Sequence, residues 1–286
     1  MSTINLHLLS SNKNKKRYFG VDYFLNILSG SNPNFKYYST PLDQNPVFQD
    51  GPISFQNEYY DFLNSELQNK DAGSIIGIQN NPDIYDGLDS LDKILKILAN
   101  HKMGLYLETT SIKIINDLKI LEKFGKNNPL LISIPSASCK RESKLYGKNH
   151  CFENTYKILS KIKNYDILCG MIIKPIIPYI NDDLKEFSSM INRAIELKID
   201  YIYPTFSIKF DSKKIKAFYD IIDKEFPELM VVLHEKYGMK HVWESPNMSE
   251  LKKIYVFECR KSKIKYALKD IISLYKPDLN LQMKLF

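Results

Sequence analysis

Apolar residues along this chain fall into two alternating patterns. Short, nearly continuous apolar runs of the kind that form buried strands occupy Val21–Leu28, Ser74–Gln79, Gly104–Thr109, Leu130–Pro135, Cys169–Ile176 and Tyr201–Phe206. Between them the apolar positions spread to helical spacing over Glu58–Gln68, Leu91–Asn100, Ile112–Phe124, Phe152–Lys163, Asp182–Glu196 and Lys213–Phe226. Leu91, Ile94, Leu95 and Leu98 form one helical stripe; Ile112, Ile115, Leu118 and Leu121 form another. Asp182 stands where an N-cap belongs, just before DLKEFSSMINRAIEL. Runs such as Leu130–Ile134 predict a parallel sheet covered on both faces. Repeated strand–helix units with right-handed crossovers build an α/β barrel or an open doubly wound sheet, and the pattern alone does not choose. Beyond residue 227 two more helices are predicted, over Ser249–Arg260 and Tyr266–Leu274. No Pro/Gly/Ser-rich linker divides the chain. The expected organisation is therefore a barrel body over 1–226 with a helical extension, 227–286, packed on it.

Composition refines this picture only slightly. A chain of 286 residues with a hydrophobic fraction of 44% has enough apolar material for a real core. The four cysteines, Cys139, Cys151, Cys169 and Cys259, are widely spaced, which excludes an evident zinc ribbon or disulfide framework and suits a reducing cytoplasm. The N-terminal segment lacks the apolar core of a signal peptide, and Ile167–Ile180 is broken by Lys174, Pro175 and Pro178, so no membrane span is expected. The net charge of +7 admits contact with a polyanion such as nucleic acid, as does the local run Lys13, Lys15, Lys16 and Arg17. No Arg-rich or aromatic-interleaved stripe accompanies it along the sequence, and an AT-rich coding bias toward Lys, Ile, Asn and Tyr accounts for the same charge. His7, His101, His150 and His241 show no metal-binding spacing, the adjacent His234 and Glu235 read as a solvated helix face, and no Walker A, G-x-S-x-G or G-x-G-x-x-G sequence is present.

The segment Gly20–Pro41, GVDYFLNILSGSNPNFKYYSTP, resembles the opening of radical S-adenosylmethionine (SAM) enzymes of the spore-photoproduct-lyase-like group. In that group an apolar strand runs into a loop bearing C-x3-C-x2-C. Here Ser31, Phe35 and Tyr38 hold the three cysteine positions at the same spacing. The resemblance extends through IGIQNNPDIYD (76–86), GLYLETTS (104–111), LISIPS (131–136) and GMIIKPIIPYIND (170–182), then FPEL, KYG, SPN (245–247) and the terminal QMKLF. PIIPYIND and SPN are the most specific blocks. The resemblance implies a partial (β/α)6 barrel of radical SAM type and, in intact relatives, a 4Fe–4S cluster with bound SAM.

The departures from that pattern lie at strand C-terminal ends, where barrel enzymes carry their chemistry. Asn81, Asp83, Ile84 and Tyr85 replace a usual Asp, Tyr, Gln and Pro; Thr110 replaces a usual Lys; Pro135 replaces a hydroxyl residue; Trp243 stands where relatives often have cysteine. Iron–sulfur clusters need soft thiolate ligands. Phe35 has no donor, and Ser31 and Tyr38 keep protonated oxygens, a phenol having a reference pKa of about 10. The expectation is a protein without the 4Fe–4S cluster, with a binding or scaffolding role, partnered by an intact radical SAM relative or by nucleic acid. The alternatives are a cluster-independent SAM-binding protein or SAM-dependent enzyme that uses the barrel mouth for polar chemistry, and a nucleic-acid-binding module. Candidate SAM contacts are Asn80, Asn81 and Asp83 toward an amino or carboxylate group, Thr110, Ser133 toward a ribose, and Lys174 toward a carboxylate or phosphate. Asn-Asn-Pro-Asp is also a strong turn signal, the reading preferred here, and a strand lysine can instead snorkel to the rim.

Overall fold

A computed structural model describes residues 8–13, 18–25, 57–79, 83–136, 145, 152–210 and 212–276. Strands β1 (Leu9–Ser11), β2 (Tyr23–Leu25), β3 (Ile75–Ile78), β4 (Gly104–Glu108), β5 (Leu130–Ser136), β6 (Cys169–Ile173) and β7 (Tyr201–Pro204) form one sheet in sequence order. β1 is antiparallel to β2, and every pairing from β2 to β7 is parallel. Helices α1 (Asn57–Leu67), α2 (Asp92–Asn100), α3 (Ile114–Gly125), α4 (Phe152–Ile162) and α5 (Leu184–Glu196) fall between successive strands from β2 on. α6 (Ser212–Glu225), α7 (Met230–Lys236), α8 (Met248–Ser262) and α9 (Leu268–Tyr275) follow, with a small antiparallel pair, β8 (Ser207–Lys209) and β9 (Val242–Glu244).

Neighbours in this sheet are also neighbours in sequence, so every crossover runs the same way and the helices collect on one side. Strand residues confirm it by alternating between two cores. Ile76, Ile78, Leu105, Leu107, Ile132, Ile134, Met171 and Ile202 join the helices in an outer apolar cluster. Ile75, Tyr106, Leu131, Ile172 and Tyr201 belong to a separate inner cluster with Phe19, Phe24 and two residues of α9, Ile271 and Tyr275. That is the interior of a partial barrel. A single missing Cβ shapes one of its layers. Ser133, Gly170 and Tyr201 lie in register on adjacent strands. The Tyr201 ring passes over Gly170 so that its hydroxyl meets Ser133 Oγ and donates to the Ile132 carbonyl at 3.0 Å. A Cβ on Gly170 would lie 2.5 Å from that ring.

The last helix fastens to the first barrel strand. Tyr275 donates its hydroxyl to the Phe19 carbonyl, and Lys276 Nζ lies 2.6 Å from the Asp22 carboxylate, which also accepts from Ile75 N. A third apolar cluster sits around Trp243, fully buried among Phe210, Phe218, Tyr219 and Tyr237. The indole N–H donates to the Lys240 carbonyl. Trp243 is thus a packing anchor.

The stripe Leu91, Ile94, Leu95 and Leu98 is buried as expected. The second stripe is displaced: Ile112 is exposed, and Ile114, Leu118 and Leu121 face the core, because α3 starts at Ile114. The N-cap of α5 is Asp183, whose carboxylate accepts from Lys185 N and Glu186 N. Asp182 has a different task. It accepts from Tyr179 N at 3.0 Å and from the Ser245 hydroxyl at 2.6 Å, while its carbonyl accepts from Asn247. The PIIPYIND and SPN blocks therefore meet in one hydrogen-bonded joint. Asn181 completes the turn, accepting from Ile177 N and donating to the Pro175 carbonyl. Strand β6 ends at Ile173, earlier than expected, since Pro175 has no N–H for the ladder. The segment after residue 227 is more than two helices, for α7 and β9 are built there as well. Within the described residues no helix is long and apolar enough to cross a membrane.

Candidate functional site

The C-terminal ends of the strands surround a cavity of about 320 Å³. Phe19, Phe24, Tyr106, Tyr203 and Phe206 supply its aromatic wall, and Gln79, Thr205, Ser207, Glu108 and Lys174 its polar groups. The wall is ordered by ring contacts: Phe19 stacks on Tyr106 at 5.0 Å and meets Tyr203 edge-on at 5.3 Å. At the rim stand Glu244, Met248 and Lys252, the last with its ammonium 5.5 Å from the Phe206 ring centre.

Glu108 and Lys174 form the charged feature of the site. Both point inward, from the last residue of β4 and from the position just beyond β6. Lys174 Nζ lies 2.5 Å from Glu108 Oε1, with side-chain exposures of 11% and 4%. The other carboxylate oxygen accepts from the Tyr106 hydroxyl at 3.3 Å. Lys174 thus neither snorkels nor waits unpaired for a ligand. Burial, with the Glu108 charge adding to it, pushes the Tyr106 phenol well above its ordinary range, so it stays a protonated donor. Glu108 was absent from the sequence-based candidates; its signal was a carboxylate at the end of an otherwise apolar strand run.

The other expected contacts go elsewhere. Asp83 is buried outside the cavity. Its carboxylate accepts from the Thr109 hydroxyl, from Thr110 N at 2.9 Å and from Tyr85 N at 3.1 Å, tying the loop after β3 to the end of β4. Burial raises its pKa to about 6 against the lowering effect of those donors. Thr110 serves the same knot and gives its carbonyl to Asn154. Ser133 is held by Tyr201 in the barrel interior. Of the candidate ligand contacts among the described residues, only Lys174 lines the cavity. Asn80, Asn81 and the positions Ser31, Phe35 and Tyr38 lie outside the described residues. His234 is exposed and stacks on Tyr219 with ring centres 4.1 Å apart, in keeping with a solvated helix face. Cys169 and Cys259 are buried, and burial pushes both thiols up to about 12. Among the described residues no three His, Cys, Asp or Glu side chains gather as a metal-ligand set.

A variant of spore photoproduct lyase with one cysteine changed to serine superposes with a TM-score of 0.59 over 90% of this chain and 77% of its own, at 11% identity. The chain has the fold of that lyase. The lyase complexed with dinucleoside spore photoproduct superposes equally well, at 0.59 and 12% identity over 91% of this chain and 77% of that one. A further lyase variant, with bound AdoMet and dinucleoside spore photoproduct, gives 0.57 and 12% over 88% and 76%. No protein-family model matches the chain, and no curated protein matches it in sequence. The likeness to the lyase is one of fold.

Proposed function

We propose that this protein is a cluster-free pseudoenzyme built on the lyase barrel, whose role is binding rather than radical chemistry. The donor set carries the proposal. A 4Fe–4S cluster does not fit Ser31, Phe35 and Tyr38, which offer two protonated oxygens and a hydrocarbon ring where soft thiolates are required. The four cysteines present elsewhere, Cys139, Cys151, Cys169 and Cys259, do not reproduce a C-x3-C-x2-C run. Two of them are also buried as protonated thiols. Without a cluster there is no reductive cleavage of SAM to perform. On this reading residues 1–226 supply the barrel and 227–286 an extension that braces it.

A second reading, polar binding of SAM at the barrel mouth, draws support from the cavity. Its lining holds the Lys174–Glu108 pair together with Lys252 and Glu244, so it offers cations for the SAM carboxylate and carboxylates for the ammonium and sulfonium. The aromatic wall suits a planar ring. That a protein of the same fold is described with bound AdoMet supports the same ligand. Titration calorimetry of the purified protein with SAM separates the two. Saturable binding that Lys174→Met weakens supports the SAM site; no heat and no thermal stabilisation at millimolar SAM leaves the scaffolding role.

A further inference from the structure

The outer face of α8 carries a basic, aromatic-centred stripe that, Lys252 apart, neither reading of the barrel uses. Between residues 248 and 276 the sequence holds eight Lys or Arg against three Asp or Glu, so most of the chain's net charge of +7 resides there. Helix geometry sorts these residues. Leu251, Tyr255 and Cys259 recur every fourth position and are buried against the barrel. The opposite face shows two rows at the same spacing: Lys252, Val256 and Arg260, beside Lys253, Phe257 and Lys261. These six residues line one shallow depression. Phe257 is 63% exposed, an unusual position for a phenylalanine, and no element among the described residues covers it.

Each row thus places an apolar group between two cations, one helical turn, or about 6 Å, from either. The ends are held in place. Arg260 donates to the Tyr266 hydroxyl at 2.7 Å, and Lys252 lies over the Phe206 ring. Lys253 is balanced by Glu250 at 2.7 Å, but both are largely exposed and solvent-screened. The pattern was invisible along the sequence because cation, ring and cation are separated by intervening residues that only a helix turns away.

We propose that this face of α8 binds single-stranded nucleic acid, Phe257 stacking on an unpaired base while the flanking lysines and Arg260 meet the phosphates on either side. A flexible strand offers both a free base face and anions at short, regular intervals, which the rows match. A duplex keeps its bases stacked and would leave Phe257 without a partner. A membrane surface is the poorer fit, since one ring and one valine give little apolar area to insert. Lys252 belongs both to this face and to the rim of the barrel cavity, so a bound strand would run toward the mouth.

The test is fluorescence anisotropy of the full-length protein with a labelled mixed-sequence single strand, the matching duplex, and vesicles containing anionic lipid. Single-strand binding is expected to be preferred, to weaken about tenfold in Phe257→Ala, and to recover in Phe257→Trp. In the doubly substituted Lys253→Gln, Lys261→Gln protein the slope of log affinity against log salt should fall in magnitude by about 1.4. All substitutions are on the exposed face, and circular dichroism checks that the variants remain folded. The proposal is overturned if the wild-type protein fails to bind the single strand at low salt. Phe257→Ala leaving single-strand affinity unchanged also overturns it, as does vesicle binding that depends on Phe257 while strand binding does not.

Discussion

Replacing Lys174 by methionine is the sharpest probe of the barrel mouth. The pair it belongs to spans 2.5 Å and is almost withdrawn from water, Glu108 being only 4% exposed in its side chain. At an effective dielectric constant of about 20, Coulomb's law gives about 7 kcal/mol of gross attraction at that 2.5 Å separation. Desolvating each ion costs several kcal/mol, so the net worth of the pair against an apolar replacement is close to zero. Breaking it one-sidedly is another matter. Lys174→Met leaves Glu108 buried with only the long 3.3 Å bond from Tyr106, and should cost about 3–5 kcal/mol of stability at neutral pH. Glu108→Leu combined with Lys174→Met should recover to within about 1 kcal/mol of the parent. Urea unfolding of the four proteins in a double-mutant cycle measures the coupling directly. Additive losses, or a Lys174→Met protein as stable as the parent, would refute the buried pair.

Two further outcomes follow from the same structure. Asp83 titrates near 6 when folded, above the ordinary carboxylate value, so the folded state holds the proton more tightly than the unfolded chain. Its contribution to stability is therefore fullest below about pH 4 and is lost as pH rises to about 6, by an amount on the order of 2–3 kcal/mol. Asp83→Asn, which cannot titrate, should be less stable than the parent because its amide nitrogen cannot accept from Thr109 or Thr110 N, and the gap should narrow across that interval; a constant gap contradicts the assignment. Gly170→Ala forces a Cβ to within 2.4 Å of the Tyr201 carbonyl and should cost at least about 1–3 kcal/mol in thermal unfolding, whereas unchanged stability would mean that Tyr201 does not cross β6 as described.

How much of this was legible beforehand depended on the range of the interaction. Strand and helix order could be read because burial on two faces leaves continuous apolar runs, and burial on one leaves a helical stripe. The start of α3 was misplaced because Ile112 continues the stripe's spacing although the helix begins only at Ile114. β8 and β9 are three residues each, too short to show a period. Asp182 and Asp183 are adjacent carboxylates, and only the arrival of Ser245 decides which one caps α5 and which one holds the joint. The partner of Lys174 was hidden for the same reason. Sequence shows that a cation in an apolar run needs compensation; it takes the register of β4 and β6 to show that Glu108 supplies it. Asp83 and Ser133 were proposed as ligand contacts by their positions near strand ends, but the fold spends both on its own hydrogen bonds.

The proposed absence of a cluster from this lyase-like barrel can be tested by anaerobic purification, iron–sulfide reconstitution, and quantitation of iron and acid-labile sulfide per chain. The expected result is a folded protein that retains no stoichiometric iron or sulfide and shows no iron–sulfur absorption band. A stoichiometric cluster with that band would contradict it, for other side chains would then have rebuilt what Ser31, Phe35 and Tyr38 lack.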